Sequence, residues 1–316
     1  MSSINTNVSA MTALQSLTQA NKAYIETQKR IATGLRVGEA SDNAAYWSIA
    51  TTMRSDRSAL TTVQDALGLG GSIVDVAYTA VNTSIDIVDQ IKAKLVAASQ
   101  PGIDRTKVQG DIAELQKQLT GIASSASFSG DNWLSVDSSA SGYNASKNIV
   151  ASFIRTGGTV SVQTIAIDTS SMDLFDANTA ATNAAAGILD GNRTTTGAIN
   201  NTATTFSISG LNISALTDSS TDLATLDSYI KGADAAIKEM TTAAGSLGAV
   251  KKHISLQKNF VTNLISAHDR GVGSLVDADM NEESTKLQAL QVKQQLGIQA
   301  LSIANAQSQN ILKLFQ

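Results

Sequence analysis

The stretch IATTMRSDRSALTTVQDALGLGGSIVDVAYTAVNTSIDIVDQIKAKLVAA, residues 49–98, places an apolar side chain at alternating steps of four and three residues. The repeat is interrupted at Asp56, Gly70 and Ser84. A 3.5-residue repeat sustained over this length is typical of a coiled-coil seam. A helix of about 50 residues spans about 75 Å and cannot bury its apolar stripe on itself. The stretch therefore predicts helical partners elsewhere in the chain.

Four other segments repeat the pattern and can supply those partners. They cover residues 4–31, 108–122, 226–265 and 280–315. Pro101 and Gly102 predict a turn after the first long helix, and Asp104 predicts the cap of the next one. The fold class that follows is mainly α, a long heptad-patterned helical bundle or coiled-coil rod formed by both chain ends, with a small β-rich insertion in the middle.

The middle of the chain, residues 138–216, has few charges and is dominated by Ser, Thr, Asn, Ala and Gly. Apolar residues alternate on both sides of Gly157-Gly158, which predicts a β-hairpin. The segment TFSISGLNIS, Thr205–Ser214, predicts a second strand pair. The middle contains no histidine and its only acidic residues are Asp168, Asp173, Asp176 and Asp190, which argues against a catalytic insertion.

The helical phase breaks between Ile31 and Ile49, in the stretch RIATGLRVGEASDNAAYWSIA, residues 30–50. Glycine lowers helix propensity and permits positive φ, so we predict that Gly34 and Gly38 are non-helical. Ser41 or Asp42 is the predicted cap of the long helix that follows. Tyr46 and Trp47 are predicted to pack near the base of that helix, beside a connector between two helical layers.

Composition excludes several classes of function. The chain has 27 acidic and 23 basic residues, which is not the charge balance of a nucleic-acid-binding protein. Cysteine is absent, and the two histidines, His253 and His268, do not form an H-E-x-x-H motif, so no metal site or cofactor is predicted. The uncharged stretch 294–312 is rich in Gln and Asn, which argues against insertion into a membrane.

Motifs at both ends of the chain resemble those of bacterial flagellins. RIATGLRVGEASDNAAYWSIA is similar to the family signature, and INTNVSAMTALQSL is similar to the family's N-terminal helix. VDADMNEESTKLQALQVKQQLGIQALSIANAQ, residues 276–307, resembles the C-terminal pattern, and FSGDNWL, residues 128–134, resembles the motif that closes the first rod hairpin. The YWSIA variant resembles rhizobial, alphaproteobacterial flagellins.

This resemblance implies three domains. Residues 1–39 plus 275–316 would form an inner-tube coiled-coil domain, and residues 40–137 plus 222–274 a rod-like helical domain. Residues 138–221 would form an outer, β-rich surface domain, with the 148–167 hairpin assignable to either the outer domain or the rod.

The resemblance also implies which residues act in assembly. The residues expected in the self-assembling inner layer are Ile4, Val8, Met11, Leu14, Leu17, Tyr24, Ile31, Leu287, Leu290, Leu301, Ala304, Asn305, Ile311 and Phe315. The residues expected in the connector are Gly34, Leu35, Arg36, Gly38, Asp42, Asn43, Tyr46 and Trp47.

The function implied is that of a structural subunit which is secreted and self-assembles into the extracellular flagellar filament for swimming. Its implied partners are further copies of itself or other flagellins, an export chaperone at the C-terminal helix, the flagellar secretion apparatus, the filament cap and the hook-junction proteins. No catalytic residue, metal or cofactor is expected. Two alternatives remain at this point: a hook–filament junction protein, and an enzyme or adhesin built on the same helices.

Overall fold

A computed structural model describes residues 6–178, 187–199 and 206–314, with side chains up to residue 306. Helices dominate these ranges, as the heptad patterns predict. The helices are α1 (Val8–Thr33), α2 (Ala44–Ala98), α3 (Arg105–Ser125), α4 (Ser220–Val276) and α5 (Met280–Leu314). The strands are β1 (Ser127–Phe128), β2 (Asp131–Asn132), β3 (Ser135–Val136), β4 (Ser146–Thr156), β5 (Thr159–Asp168) and β6 (Phe175–Asp176). The predicted fold class, mainly α with a small β-rich insertion, is confirmed.

The chain divides into two compact units. Residues 1–58 and 264–316 form the terminal unit, and residues 59–263 form the central unit. Both divisions fall inside helices α2 and α4, whereas the predicted inner-tube domain ended at residues 39 and 275. The three-part division therefore stays a prediction.

The core of the central unit follows the heptad pattern. On α2, side chains at the seam positions from Leu60 to Leu95 are buried, and on α3 Ile112 and Leu119 are fully enclosed. On α4 the buried seam residues are Leu226, Ala233, Met240, Ala244, Leu247, Ile254 and Val261. Seam positions of all three helices are thus satisfied inside this unit.

Gly70 interrupts the α2 seam where strand β4 approaches the helix. A Cβ atom at this position would lie 2.5 Å from Cγ2 of Ile149, well inside contact distance. A larger side chain at position 70 would push the hairpin away from α2. The break in the heptad pattern is therefore a packing site for the insertion.

Local signals set the ends of α3. Asp104 Oδ1 accepts hydrogen bonds from the backbone N–H groups of Thr106 and Lys107, so the predicted cap is present. At the other end, the Asn132 amide donates to Ala123 O at 2.7 Å, which satisfies a carbonyl of the last turn. Asn132 is positioned by the tight β1–β2 hairpin, whose turn residues Ser129 and Gly130 both have positive φ.

The predicted hairpin of the insertion is confirmed. Strands β4 and β5 pair antiparallel, and Gly157 and Gly158 form the turn with φ values of 58° and 87°. The pairing register shifts between Val150 and Ser152, and the carbonyl of the intervening Ala151 accepts a hydrogen bond from the Gln257 side chain of α4. Ile165 and Ile167 are buried. A short parallel pair, β3 with β6, follows.

The predicted second strand pair at Thr205–Ser214 is wrong. Thr205 lies outside the described residues, and residues 207–214 form turns and irregular backbone. The backbone of this segment forms hydrogen bonds with two glutamine side chains of α3. Gln116 donates to Ile208 O and Leu211 O, and Gln109 Oε1 accepts from Ile213 N. The alternating apolar residues of this segment pack inward. Its backbone, however, bonds to the two glutamine side chains and not to a partner strand.

Leu67 and Leu69 provide a test of the seam, because Leu67 is fully buried and Leu69 is exposed two residues later on the same helix. We predict that Leu67→Ala lowers the free energy of unfolding by about 2–5 kcal/mol, because it leaves a cavity in the seam. Leu69→Ala should change it by less than about 0.5 kcal/mol. Urea unfolding followed by circular dichroism measures both. Equal effects of the two variants would contradict the assignment of the seam.

Candidate functional site

Helices α1 and α5 lie antiparallel in the terminal unit. The Asn7 amide donates to Ala304 O at 3.0 Å near one end of the pair, and Gln294 Nε2 donates to Asn21 Oδ1 at 2.8 Å in the middle. Arg30 Nη1 contacts Glu283 Oε1 at 3.1 Å towards the other end. The partner number falls along α5 as the number rises along α1, so the two chain ends are held in one register.

The most buried side chains of the α1–α5 seam are small or polar, and half-buried leucine, isoleucine and tyrosine side chains lie beside them. Ala20 and Thr27 are the buried residues of α1. A Cβ atom on Gly297 would lie 3.1 Å from Leu17 Cδ1, so the helices approach closely at this point. Small residues and amides bury little apolar area, so the most buried positions of the pair contribute little hydrophobic stabilisation within one chain.

The structure divides the predicted inner-layer residues into two groups. Those at or beside the seam are buried or half-buried: Leu17, Tyr24, Ile31, Leu287, Leu290, Leu301 and Ala304. Val8, Met11 and Leu14 instead have exposed fractions of 70%, 63% and 54%. Asn305 is exposed. Ile4, Phe315 and the side chain of Ile311 lie outside the described residues.

The predicted pairing of Val8, Met11 and Leu14 with the C-terminal helix is therefore wrong for the single chain. The α1 side that faces α5 includes Leu17 and Asn21, which belong to the predicted repeat. It also includes Asn7, Ala20 and Thr27, each one position before a step of that repeat. Small residues allow a closer approach of the backbones than the long apolar side chains do. Hydrophobic periodicity alone could not select this side.

Helix α5 also carries an apolar surface that the sequence reasoning missed. Val292, Leu296, Ile298 and Ile303 are all exposed, although they belong to a helix with a paired seam. They occupy positions off the heptad repeat, where a polar residue is usual in a two-helix pair. Apolar residues outside the heptad positions were the feature of the sequence that could have predicted this exposed surface.

The connector begins where α1 ends at Gly34. Gly34 has φ 71° and its N–H donates to Arg30 O at 2.8 Å, a left-handed helix cap that favours glycine. Gly38 is also non-helical, and its φ is not in the left-handed region. The chain thus leaves the helix at Gly34, and α2 begins at Ala44.

Backbone hydrogen bonds fix this connector to the break between α4 and α5. The N–H groups of Arg36 and Val37 both donate to Val276 O, and Ala278 N donates to Gly34 O. The Arg36 guanidinium donates to Leu275 O. Val37, Ala50 and Val276 form a small buried cluster against which Leu35, Val272 and Leu275 pack. Backbone groups at the two helix breaks of the terminal unit therefore form hydrogen bonds with each other.

The cap of α2 is Asn43, so the prediction of Ser41 or Asp42 is wrong. Asn43 Oδ1 accepts from Tyr46 N at 3.1 Å. Asp42 instead accepts from the N–H groups of Gly38 and Glu39, and these bonds lower the pKa of its carboxyl. The Asp42 side chain is thus bonded within the connector, and the next residue, Asn43, caps α2.

Tyr46 and Trp47 do not pack as predicted. Their exposed fractions are 42% and 37%, and both lie in the first turn of α2. The connector buries its own Val37 together with the small Ala50 instead. The aromatic pair is available for contacts with other molecules.

No chemical centre is found in the part of the chain that the structure describes. Within those ranges, no group of three or more His, Asp or Glu residues is arranged to hold a metal ion. Among the described helices, none is both long and apolar enough to cross a membrane.

Comparison with known proteins identifies the family. Residues 4–139 match the bacterial flagellin N-terminal helical region, and residues 230–315 match the bacterial flagellin C-terminal helical region. The chain belongs to the bacterial flagellins. It is 49% identical to Flagellin C of Rhizobium meliloti (strain 1021) and 41% identical to Flagellin A of Rhizobium meliloti, in both cases over the whole of each chain. A flagellin of Brucella melitensis is 41% identical, again over the whole of each chain.

Family membership confirms the expected function. A flagellin is the structural subunit of the extracellular flagellar filament, so this chain is a filament protein and not an enzyme. The resemblance to rhizobial flagellins is confirmed as well. The alternative of a hook–filament junction protein receives no support from these matches.

Gly34 and Gly38 provide a matched test of the connector. A Cβ atom meets nothing within 4 Å at Gly34 and makes an ordinary 3.7 Å contact at Gly38, so backbone conformation is the main difference. We predict that Gly34→Ala destabilises the terminal unit by about 1–2 kcal/mol, because Ala is strained at φ 71°. Gly38→Ala should have an effect below about 0.5 kcal/mol. Hydrogen exchange of the Ala278 amide reports this local stability, and similar exchange in both variants would contradict the prediction.

Proposed function

We propose that the terminal helix pair, α1 with α5, is the surface through which this flagellin polymerises. In this proposal residues 1–39 plus 275–316 form an inner layer of the filament. Residues 40–137 plus 222–274 form a surrounding helical layer, and residues 138–221 face outward. The inner-layer and connector residues named from the sequence are the proposed assembly residues.

The exposed apolar side chains of the pair are the observation that carries the proposal. Val8, Met11 and Leu14 on α1 and Leu296 and Ile303 on α5 are all more than half exposed. Several exposed apolar side chains on one helix pair are typical of a site of association. The pairing inside one chain leaves these side chains exposed, so association with other copies would bury them. Repeated heterologous contacts of this kind extend as an open helix.

The connector supports the same proposal in a second way. Its backbone clamp on Val276 holds the start of α2 and the end of α4 beside each other within the terminal unit. Because these hydrogen bonds fix the connector, they also fix the orientation in which the α1–α5 pair leaves it. Exposed Tyr46 and Trp47 lie next to it and are proposed to contact neighbouring subunits.

Partners beyond the chain itself also belong to the proposal. The relatives include flagellins A, B, C and D of Rhizobium meliloti, so we propose a filament that mixes several flagellins. We further propose that an export chaperone binds α5, since an amphipathic helix with exposed apolar residues suits a groove in a partner. The secretion apparatus, the filament cap and the hook-junction proteins complete the proposed partners.

Deletion of residues 294–316 tests the terminal pairing. This truncation removes the α5 partners of Asn7, Leu17 and Asn21 and leaves the N-terminal half of α1 without support. We predict that filament formation and chaperone binding are lost, while the central unit keeps its helical circular dichroism because its seam is intact. Light scattering measures polymerisation, and pull-down with the chaperone measures binding. Normal filaments from the truncated protein would contradict terminal pairing.

A point substitution at Met11 separates assembly from folding. Met11 is 63% exposed in the single chain, so Met11→Gln should leave the monomer's thermal unfolding unchanged. The same variant should raise the critical concentration for polymerisation by about tenfold or more, since each copy loses a buried apolar contact. Met11→Leu keeps the apolar character and is the control that should polymerise normally. Equal polymerisation of the two variants would exclude this face of α1 from the interface.

A further inference from the structure

The insertion contains three carboxyl groups that are largely removed from solvent. Asp173 and Asp176 each have an exposed fraction of only 7%, and Asp190 is half-buried. Each has one oxygen that is buried and has no hydrogen-bond partner: Asp173 Oδ1, Asp176 Oδ2 and Asp190 Oδ1. Such groups are costly to bury when charged. Flagellar assembly as proposed above does not use them.

Asp173 is the least supported of the three. Asp176 Oδ1 accepts from the N–H groups of Ser138 and Asn178, and Asp190 Oδ2 accepts from Asp176 N at 2.8 Å. Asp173 Oδ2 accepts one bond, from the Tyr143 hydroxyl at 3.2 Å. Backbone donors stabilise an ionised carboxylate, and Asp173 has none for its side chain among the described residues.

The charges around Asp173 do not compensate it. Asp168, at the end of strand β5, and Asp176 both oppose its ionisation, while Lys147 on strand β4 favours it without forming an ion pair. Arg193, which donates to Ile188 O, pairs with Glu239 of α4. Within the described ranges, no ion pair involves Asp173, and no acidic cluster is arranged to hold a metal ion. A proton is therefore the simplest way to neutralise this site.

We propose that Asp173 folds as a neutral carboxylic acid and that its ionisation opens the layer of the insertion built from β3, β6 and residues 187–190. The layer depends on Asp173 through the backbone: Ile188 N donates to Asp173 O, Leu189 N donates to Leu174 O, and Leu174 N donates to Leu134 O. Movement of Asp173 towards water disturbs all three bonds. The helical seam of the central unit does not include them and stays closed.

The direction of the pH effect follows from linkage. Burial raises the pKa of Asp173 to about 7, against an unfolded value of 3.8. Burial, together with the charge of Asp173, raises the pKa of Tyr143 to about 12, so the tyrosine stays a neutral donor throughout. Since the folded pKa is the higher one, the contribution to stability is complete below pH 3.8 and is lost as pH rises through about 7. The layer is therefore closed in acid and opens towards alkaline pH.

Hydrogen exchange of the Leu174, Ile188 and Leu189 amides measures this opening directly. After correction for intrinsic exchange, their protection should fall by roughly tenfold per pH unit from about pH 4 to about pH 7 and then level off. Asp173→Asn is uncharged and nearly isosteric, so protection should become independent of pH in that window. Asp168→Asn, at an exposed carboxylate, is the control and should keep the slope of the original chain.

Tyr143→Phe adds a readout that a purely structural role would not move. The tyrosine donates to the ionised form of Asp173, so its removal should shift the levelling-off to higher pH. If Asp173→Asn does not fold, carbon-13 shifts of the Asp173 carboxyl in the original chain give the titration midpoint, expected near 7. A midpoint near 4, or an unchanged slope in Asp173→Asn, would overturn the proposal. Recovery of protection at pH 8 by millimolar calcium chloride would also overturn it, since a cation would then fill the site.

Discussion

The apolar stripes of the long helices impose the constraint on which the rest of the structure depends. A stripe that repeats every 3.5 residues over seven or more turns can be buried only against partners that together cover its length. In the central unit, α2, α3 and α4 each bury their seam positions, and the chain returns after the insertion to supply the third of them. The insertion is attached where this seam permits it, at Gly70 and at Gln257, so even the β-hairpin is placed by the helical packing.

The terminal unit solves a different problem, which is how to break a helix without leaving backbone groups unsatisfied. Ending α1 at Gly34 leaves C=O groups of its last turn without intrahelical partners, and ending α4 at Val276 does the same. The two breaks bond to each other, with Val276 O accepting two donors. Beyond this clamp the most buried side chains of the α1–α5 pair are small or polar, and several apolar side chains of both helices remain exposed. In the proposed filament, neighbouring copies bury these exposed side chains.

The insertion is held together in part by polar contacts. Its segments are held by side chains that bond to backbone, such as Gln116 to Ile208 O and Leu211 O, and by buried polar groups that have few partners. A polar interior of this kind is sensitive to protonation, whereas the apolar seam is not. Under the proposed ionisation of Asp173, the insertion responds to pH while the helical seam of the central unit does not.

The sequence by itself determined the helices, their seams in the central unit, the Asp104 cap and the Gly157-Gly158 hairpin. These features depend on the nature of side chains a few positions apart, and that information is local. The tertiary structure decided which side of α1 faces α5, that Asn43 rather than Asp42 caps α2, and that residues 206–214 bond to glutamines instead of forming strands. In each of these cases two or more local solutions have similar free energies. The choice is made by backbone groups and side chains distant in sequence, which offer hydrogen bonds or close approach to only one of them.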